Sequence, residues 1–567
     1  MPPTRHSPEA VTPPVLHPEV LKPTDAFGHV QLAGVVYLRL PIHRFSRVQR
    51  SGLLAWGALS VVCLVLGATL KYPEAIESPA SDTGIFATYG AMLLKGGRPY
   101  VDFWDVHTPL VYLYWALVQG TTGPDWLRTC TSIESLTPPS CMGLVAHGLD
   151  LLLSVLTAVV IGGMALRSGG SARVAALAAV LVVGFADQVM LSREGSNPSK
   201  LSLLPSCMAV WAYLGHPESG GGWRGALGAG VAAAIAGLAK QPAFLTLAAL
   251  VGYAAWRRDR MGLVGLLIGS SATLGVPCGA LAAVGSFDGF IAQAWVYNVE
   301  RALAGYFVHP VQAPVIGVAR VLEESAGTLV VFAVVGGVRI ARMPRHTGQR
   351  VLVWWALVNL VAVTAFREFE YIVPSFAILG AFGLDYLWRQ VGGVGPLNGA
   401  LGRCALLAVC AAGLVLTTSF QRVQFGRAQF ERGPRAGLSV TEKIGQIVQT
   451  AFPPGPMFVY GNGAEMYLLS GRVPATAHIN AEALRTTAPG ADLTRADLIA
   501  TLRGNPPPVI VLAPHSDEPE LSLAEYPAMR AFLNDCYIPD PATVGLDPNW
   551  TILVQTGTCR SADLKMF

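Results

Sequence analysis

Charged residues are what this sequence has least of. Of its 567 residues only 13% are charged and 52% are hydrophobic, whereas an ordinary soluble chain is about a quarter charged. That shortage excludes a simple soluble enzyme. Apolar runs of membrane-spanning length recur from residue 51 to 420 and point to a polytopic membrane protein. The net charge is only +4 and no long basic face is present, which excludes a nucleic-acid partner. The first residues do not read as a signal peptide either. Residues 1–50 are Pro-rich and carry Arg39, Arg44, Arg47 and Arg50, but the apolar stretch follows late and lacks a cleavage site. They are expected to form a largely disordered cytoplasmic tail. Also absent are an internal repeat and the three-glycine dinucleotide fingerprint, for which Gly461-Asn-Gly463 is too short.

Cysteines number nine. Cys63, Cys207, Cys278, Cys404 and Cys410 lie in apolar segments and read as small packing residues. Cys130 and Cys141 share one loop, and Cys536 and Cys559 share the C-terminal region. Each pair is either a disulfide on an oxidising side or two free thiols.

Read at about 20 residues per span, the apolar runs give about 11 spans: near 51–70, 143–166, 173–191, 201–215, 225–239, 241–256, 261–285, 325–341, 351–366, 370–388 and 403–420. With the N-terminus inside, the inner loops collect Arg167 and Arg173, Arg224, Arg257, Arg258 and Arg260, Arg339 to Arg350, then Arg389 and Arg403. Residues 71–142, 192–200, 286–324, 367–369 and the C-terminal region then lie outside. Both cysteine pairs fall on that same side. Residues 106–122 are apolar but short. Spanning there would invert the downstream charge bias, so an interfacial helix is predicted. Residues 286–324 read as a second outer loop with interfacial helices. From residue 421 the composition turns soluble, and short strand-like runs at 456–461, 509–513 and 550–555 alternate with helical stretches near 440–452, 493–503 and 526–535. The expected architecture is mostly α: a cytoplasmic tail (1–50), a transmembrane helix bundle (51–420) and an extracytoplasmic α/β domain (421–567).

The chemistry concentrates in the outer loops. Asp82 follows the first span by about a dozen residues and can sit at or just above the outer surface. A carboxylate there can take a proton from a hydroxyl or hold a divalent ion; otherwise it is a turn aspartate. Asp105 could cap the following apolar helix, with His107 as an interfacial hydrogen bonder. Asp150 and Asp187 lie near the outer ends of spans, where ionisable groups face a cavity or a partner. Basic residues on the outer face include Lys95, Arg98, Arg193, Lys200, Lys240, Arg301, Arg320 and Arg367. Lys240 stands between two apolar spans and either snorkels to the interface or binds phosphate. So many outward cations favour an anionic, lipid-linked ligand. Glu194, Tyr297, Tyr306 and Tyr371 complete the expected substrate cavity.

Asp82, followed by Phe103-Trp104-Asp105-Val106-His107-Thr108-Pro109-Leu110, resembles the first-loop pattern of the protein O-mannosyltransferases and their bacterial relatives. These are membrane glycosyltransferases of the C-type fold that use polyprenyl-phosphate sugars. The basic position at Lys240, Tyr371-Ile-Val-Pro374 and the run from Tyr460 to Arg472 are similar in order to pieces of that family. Thr83 stands where the family has Glu, Thr108 where it has the first Pro, and no β-trefoil module can be placed.

The resemblance implies transfer of a sugar from a polyprenyl-phosphate donor to an acceptor hydroxyl on the outer face of the cell (inner) membrane, with inversion. Asp82 would be the base, with Asp105 and His107 beside it. Lys240, Arg301, Arg98, Arg193 and Arg367 are candidates to hold the phosphate. A divalent cation (Mg or Mn) is left open, since Asp82 lacks the neighbouring acid, and the acceptor is a lipid, a glycan or a protein. Two alternatives remain. A glycan ligase or polymerase using a polyprenyl-diphosphate donor would share the outer site. A lipid or polysaccharide transporter would carry its charges nearer mid-membrane than this chain does.

Overall fold

The computed structural model describes residues 31–32, 35–36, 47–75, 81–125, 140–186, 197–215, 223–308, 327–342, 346–366, 370–392, 399–406, 408, 440–479, 481–485, 488–513, 521–541 and 550–557. It divides into two units, Met1–Trp56 and Gly57–Phe567. In the first, β1 (Gln31–Leu32) pairs antiparallel with β2 (Val35–Val36). The rest of the expected tail lies almost wholly outside the described residues.

The second unit is predominantly helical. After α1 (Arg47–Ala75), which begins in the first unit, come α2 (Ser81–Leu94), α3 (Leu110–Thr122), α4 (Cys141–Arg167), α5 (Ala172–Ala186), α6 (Pro198–Leu214), α7 (Trp223–Ala239), α8 (Phe244–Trp256) and α9 (Arg260–Ala283). A π-helical turn over Ile291–Val296 leads into α10 (Tyr297–Val308), and α11 (Gly327–Arg342), α12 (Thr347–Phe366) and α13 (Ile372–Gly392) follow. Helices therefore occupy ten of the predicted apolar segments, and most of 403–420 lies outside the described residues. By length and composition alone, two of the described helices, α4 and α9, suffice to cross a membrane. Large apolar side chains nonetheless face outward along several helices: Val61, Val62 and Val65 on α1, Leu267 and Ile268 on α9, Val331 and Val334 on α11. Such stripes are a liability in water and are at home against lipid.

Small residues let these helices approach closely. A Cβ added at Gly230 of α7 would collide with the Leu266 carbonyl of α9, and one at Gly269 with the Leu227 carbonyl. This is the small-residue packing that membrane helices use, since lipid removes the hydrophobic drive between them.

The C-terminal part follows the expected alternation, with α14 (Val440–Ala451), β3 (Met457–Tyr460), α15 (Glu465–Ser470), α16 (Ala491–Gly504), β4 (Val509–Leu512), α17 (Pro527–Cys536), β5 (Tyr537–Pro539) and β6 (Thr551–Gln555). The sheet order is β3-β4-β6-β5, with β3 and β4 parallel and the other pairs antiparallel. Side chains on a strand alternate between faces, and here each face has its own core. Phe458, Tyr460, Ile510 and Leu553 pack with Leu498 of α16 and Phe532 of α17. Met457, Val459, Val509, Val511 and Ile552 join one core with Phe86 and Tyr89 of α2 and Trp115 of α3. The C-terminal part is thus seated on the first loop. Gly84 of α2 marks the contact: a Cβ there would strike the backbone of Ala464 and Glu465.

Cys141 and Cys536 are each disulfide-bonded, and their expected partners Cys130 and Cys559 lie outside the described residues. Cys63, Cys207, Cys278 and Cys404 are free thiols.

Candidate active site

Asp82 sits in the first turn of α2, not in an irregular loop as its place after Pro79 and Ser81 predicted. It is partly exposed, and among the described residues it has no hydrogen-bond or ion-pair partner. A carboxylate in the first turn of a helix is favoured by the positive end of the helix dipole.

Asp105 is the opposite case. It is fully buried and saturated: the Tyr112 hydroxyl donates to Oδ2 at 2.7 Å, the Val106 N–H to Oδ1 at 2.8 Å, and His107 Nδ1 lies 3.0 Å from Oδ1. The expected N-cap role is not found. The N-cap of α3 is Pro109, with no side-chain cap, because Asp105 is turned inward to Tyr112 and His107. His107 packs edge-on against Phe86, with centroids 4.8 Å apart. With Nδ1 turned to Asp105, Nε2 is the ring nitrogen left for a further partner. Burial first, and then the charge of Asp105, push the Tyr112 and Tyr89 hydroxyls well above their ordinary range. Both therefore stay protonated and serve as donors.

Aromatic rings enclose this dyad. Tyr89 stacks on Phe103 at 4.5 Å and donates to the Trp104 carbonyl at 2.5 Å. Trp104 meets Tyr297 edge-on at 5.1 Å, and its backbone N–H donates to the Ala477 carbonyl at 2.9 Å. Ala477 and His478 of the C-terminal part thereby meet the first loop.

Of the expected phosphate cations, Lys240 extends from the end of α7 and donates to Ser199 Oγ at 2.8 Å. Ser199 and Lys200 open α6, and buried Lys200 reaches Asp150 Oδ2 at 3.1 Å. Lys71, at the end of α1, bonds the same oxygen. Lys71 and Lys200 therefore share Asp150, and Lys240 holds the residue next to Lys200. Sequence reasoning had left Lys71 and Lys200 out of the site, although Asp150 inside an apolar helix signalled that a partner was needed. Beside them a small cavity is lined by Asp150, Ser154, Thr157 and Lys200 among apolar neighbours. Tyr371 is buried next to this group and receives a hydrogen bond from Ser202 Oγ at 3.2 Å.

Other candidates sit elsewhere. Arg301 is exposed and paired with Glu482 at 2.6 Å, and Arg98 is exposed and paired with Asp102 at 3.1 Å. Tyr297, pushed up to about 12 by burial and then by Glu482, is buried against Trp104. Arg193, Glu194 and Arg367, and the side chain of Tyr306, lie outside what the structure describes. Among the described residues no group of three or more His, Cys, Asp or Glu could hold a metal ion.

His478, 6.2 Å from Trp104, is titrated downward by burial, against a smaller upward pull from Asp497. A histidine with a depressed folded-state pKa is neutral when folded, so the unfolded chain takes up more protons below about 6.5. Stability from this residue is present above that pH and is lost as pH falls through it. His478→Gln is expected to flatten the acid side of the stability profile between about pH 7 and 5; thermal unfolding across that range checks this, and an unchanged slope contradicts it.

The comparisons with known proteins agree with this architecture. The family model described as dolichyl-phosphate-mannose-protein mannosyltransferase matches residues 100–273, which include Asp105, His107, Asp150, Lys200 and Lys240. Among solved structures, the oligosaccharyltransferase of Archaeoglobus fulgidus in the apo form is similar at TM-score 0.55 and 13% identity, over 84% of this chain and 71% of that one. The Archaeoglobus fulgidus enzyme AglB in complex with an inhibitory peptide and a dolichol-phosphate gives TM-score 0.53 and 11% identity, over 92% and 76%. ArnT from Cupriavidus metallidurans bound to undecaprenyl phosphate gives TM-score 0.52 and 14% identity, over 90% and 99%. No curated protein matches. The chain thus has the fold shared by these C-type membrane glycosyltransferases, and its residues 100–273 resemble the dolichyl-phosphate-mannose-protein mannosyltransferases.

Proposed function

We propose that this glycosyltransferase moves a sugar from a polyprenyl-phosphate donor to an acceptor hydroxyl on the outer face of the membrane. The observation that carries the reading is the contrast between the two acids. Asp82 is partly exposed and without a partner among the described residues, whereas Asp105 is buried and fully engaged. Asp82 is therefore the base. It takes the acceptor's proton as the acceptor oxygen attacks the anomeric carbon. The bond from that carbon to the phosphate oxygen breaks from the opposite face, which inverts the centre. The leaving group is the lipid phosphate, whose developing charge is stabilised by nearby cations. Lys240 is the candidate for that contact, with Lys200 and Lys71 close behind it. That both AglB and ArnT have been captured with polyprenyl phosphates supports this donor class.

The charge bias along the chain supports about 11 spans, with the N-terminus in the cytoplasm and the C-terminal part outside. A second reading, transfer of a whole glycan, is favoured by the likeness to the oligosaccharyltransferase. The match to ArnT spans 99% of that chain and favours the first. Purified protein given radiolabelled polyprenyl-phosphate sugars and envelope acceptors should produce glycosylated acceptor and free polyprenyl phosphate. Transfer only from polyprenyl-diphosphate glycans would select the second reading, and no transfer from either would reject both.

In the same assay Lys240→Ala should raise the KM for donor about tenfold or more while the KM for acceptor changes little, as expected for loss of a charged phosphate contact worth about 1.5–3 kcal/mol. An unchanged donor KM would leave Lys240 as a residue that only snorkels.

A further inference from the structure

We propose that Gln293 and Asn298, carried by the π-helical turn and the start of α10, are positioning residues for the Asp105–His107 dyad. The proposal rests on the reading of residues 105–107 as part of the transfer site. Gln293 bridges the loop's backbone: its Oε1 accepts from the Asp105 N–H at 3.1 Å, and its Nε2 donates to the Tyr100 carbonyl at 2.9 Å. Asn298 Nδ2 donates to the Val106 carbonyl at 2.8 Å, and Gln241 Nε2 donates to that same carbonyl at 2.6 Å. Both amides also reach the Ala294 carbonyl inside the π-turn, at 3.0 and 2.9 Å. Three amide side chains, 135 to 193 residues away in sequence, therefore hold the backbone of Tyr100, Asp105 and Val106.

The π-turn is what makes this possible. In a regular α-helix, residues five apart point about 140° away from one another. The wider turn over Ile291–Val296 lets Gln293 reach the Asp105 N–H and Asn298 the Val106 carbonyl of one loop. Single π-turns inside α-helices are frequent at functional sites. The loop itself is strained. Tyr100 has φ of 63°, a left-handed conformation that is an outlier for a bulky side chain. Its carbonyl is held by Gln293 and its hydroxyl donates to the His107 carbonyl at 2.7 Å. Gly289 allows the approach, because a Cβ there would strike the Tyr100 carbonyl. A strained loop persists only when its surroundings fix it, and here the fixing contacts come from the second outer segment.

The test uses full-length protein with Gln293→Leu and Asn298→Leu. Asn298→Ser is the milder change should Asn298→Leu fail to fold. Two quantities are read in folded protein: the kinetic constants, and the rate at which diethyl pyrocarbonate modifies His107, followed by peptide mass. Loosening the loop should lower kcat by about tenfold to a hundredfold with both KM values nearly constant, since small misplacements of reacting groups cost that much. It should also change His107 modification by about threefold or more, because the ring opens locally more often. Unchanged His107 modification in folded variants overturns the proposal whatever the activity does, and so does unchanged turnover in an active parent. If the parent shows no transfer at all, the transferase reading fails and the modification arm alone decides the clamp.

Discussion

Asp82→Asn is expected to lower sugar transfer by about 10²–10⁴ while expression, folding and donor binding persist. The substitution keeps the side chain's size and hydrogen-bonding capacity and removes only its charge. Since Asp82 has no hydrogen-bond or ion-pair partner among the described residues, the folded state has little to lose. Asp105→Asn should behave the other way round. Its carboxylate accepts from Tyr112 and the Val106 N–H and faces His107 Nδ1, so an amide sets one donor against another. That change should lower stability by about 1.5–3 kcal/mol and turnover by less than the loss of the base. The check is transfer from a polyprenyl-phosphate sugar in membranes carrying each variant at matched levels. Near-normal turnover of Asp82→Asn beside a dead Asp105→Asn would pass the base to Asp105.

The apolar runs were legible because they are long and need no partner to be recognised. Ser81–Leu94 carries no clear helix signal in the sequence, for a physical reason. It carries Gly84 and Gly90, which weaken an isolated helix. Both are needed where α2 meets other backbone, Gly84 at Ala464–Glu465 and Gly90 at Trp115–Ala116. The helix is therefore stabilised by packing, which sequence periodicity does not reveal. The strand runs near 457, 509 and 551 were visible from composition. That one sheet face shares a core with α2 and α3 was not, because it depends on contacts nearly 400 residues apart.

The candidate site divides in the same way. Residues 103–110 stood out as a polar and aromatic run, and Asp105 and His107 do meet. What the run could not show was which partners its acids take. Arg301 and Arg98 read as phosphate ligands because they are basic and fall in segments that the charge bias puts outside, yet each faces a carboxylate. Gln241, Gln293 and Asn298 gave no signal, since neutral amides in an apolar chain read as ordinary polar residues.

Asp150→Ala is expected to destabilise the helix bundle by about 3–5 kcal/mol. Asp150 is fully buried in α4, and its Oδ2 receives Lys71 from the end of α1 and Lys200 from the start of α6. Removing the carboxylate leaves both ammonium groups without this counter-charge in a region where water cannot replace it, and an ion stripped of hydration costs several kcal/mol. Asp150→Asn should cost less, because the amide oxygen can still accept one of the two bonds. Asp150→Leu combined with Lys71→Met should recover part of the loss, since apolar groups of similar volume often replace a buried pair at little cost. The effect should reach the donor side as well. Lys200 follows Ser199, the residue that Lys240 holds, so a displaced α6 start should weaken donor use before acceptor use. Unfolding in a fixed detergent measures the first expectation and donor KM the second. If Asp150→Ala unfolds within about 1 kcal/mol of the parent, far below the expected cost of breaking such a cluster, the three groups are not coupled as the geometry indicates.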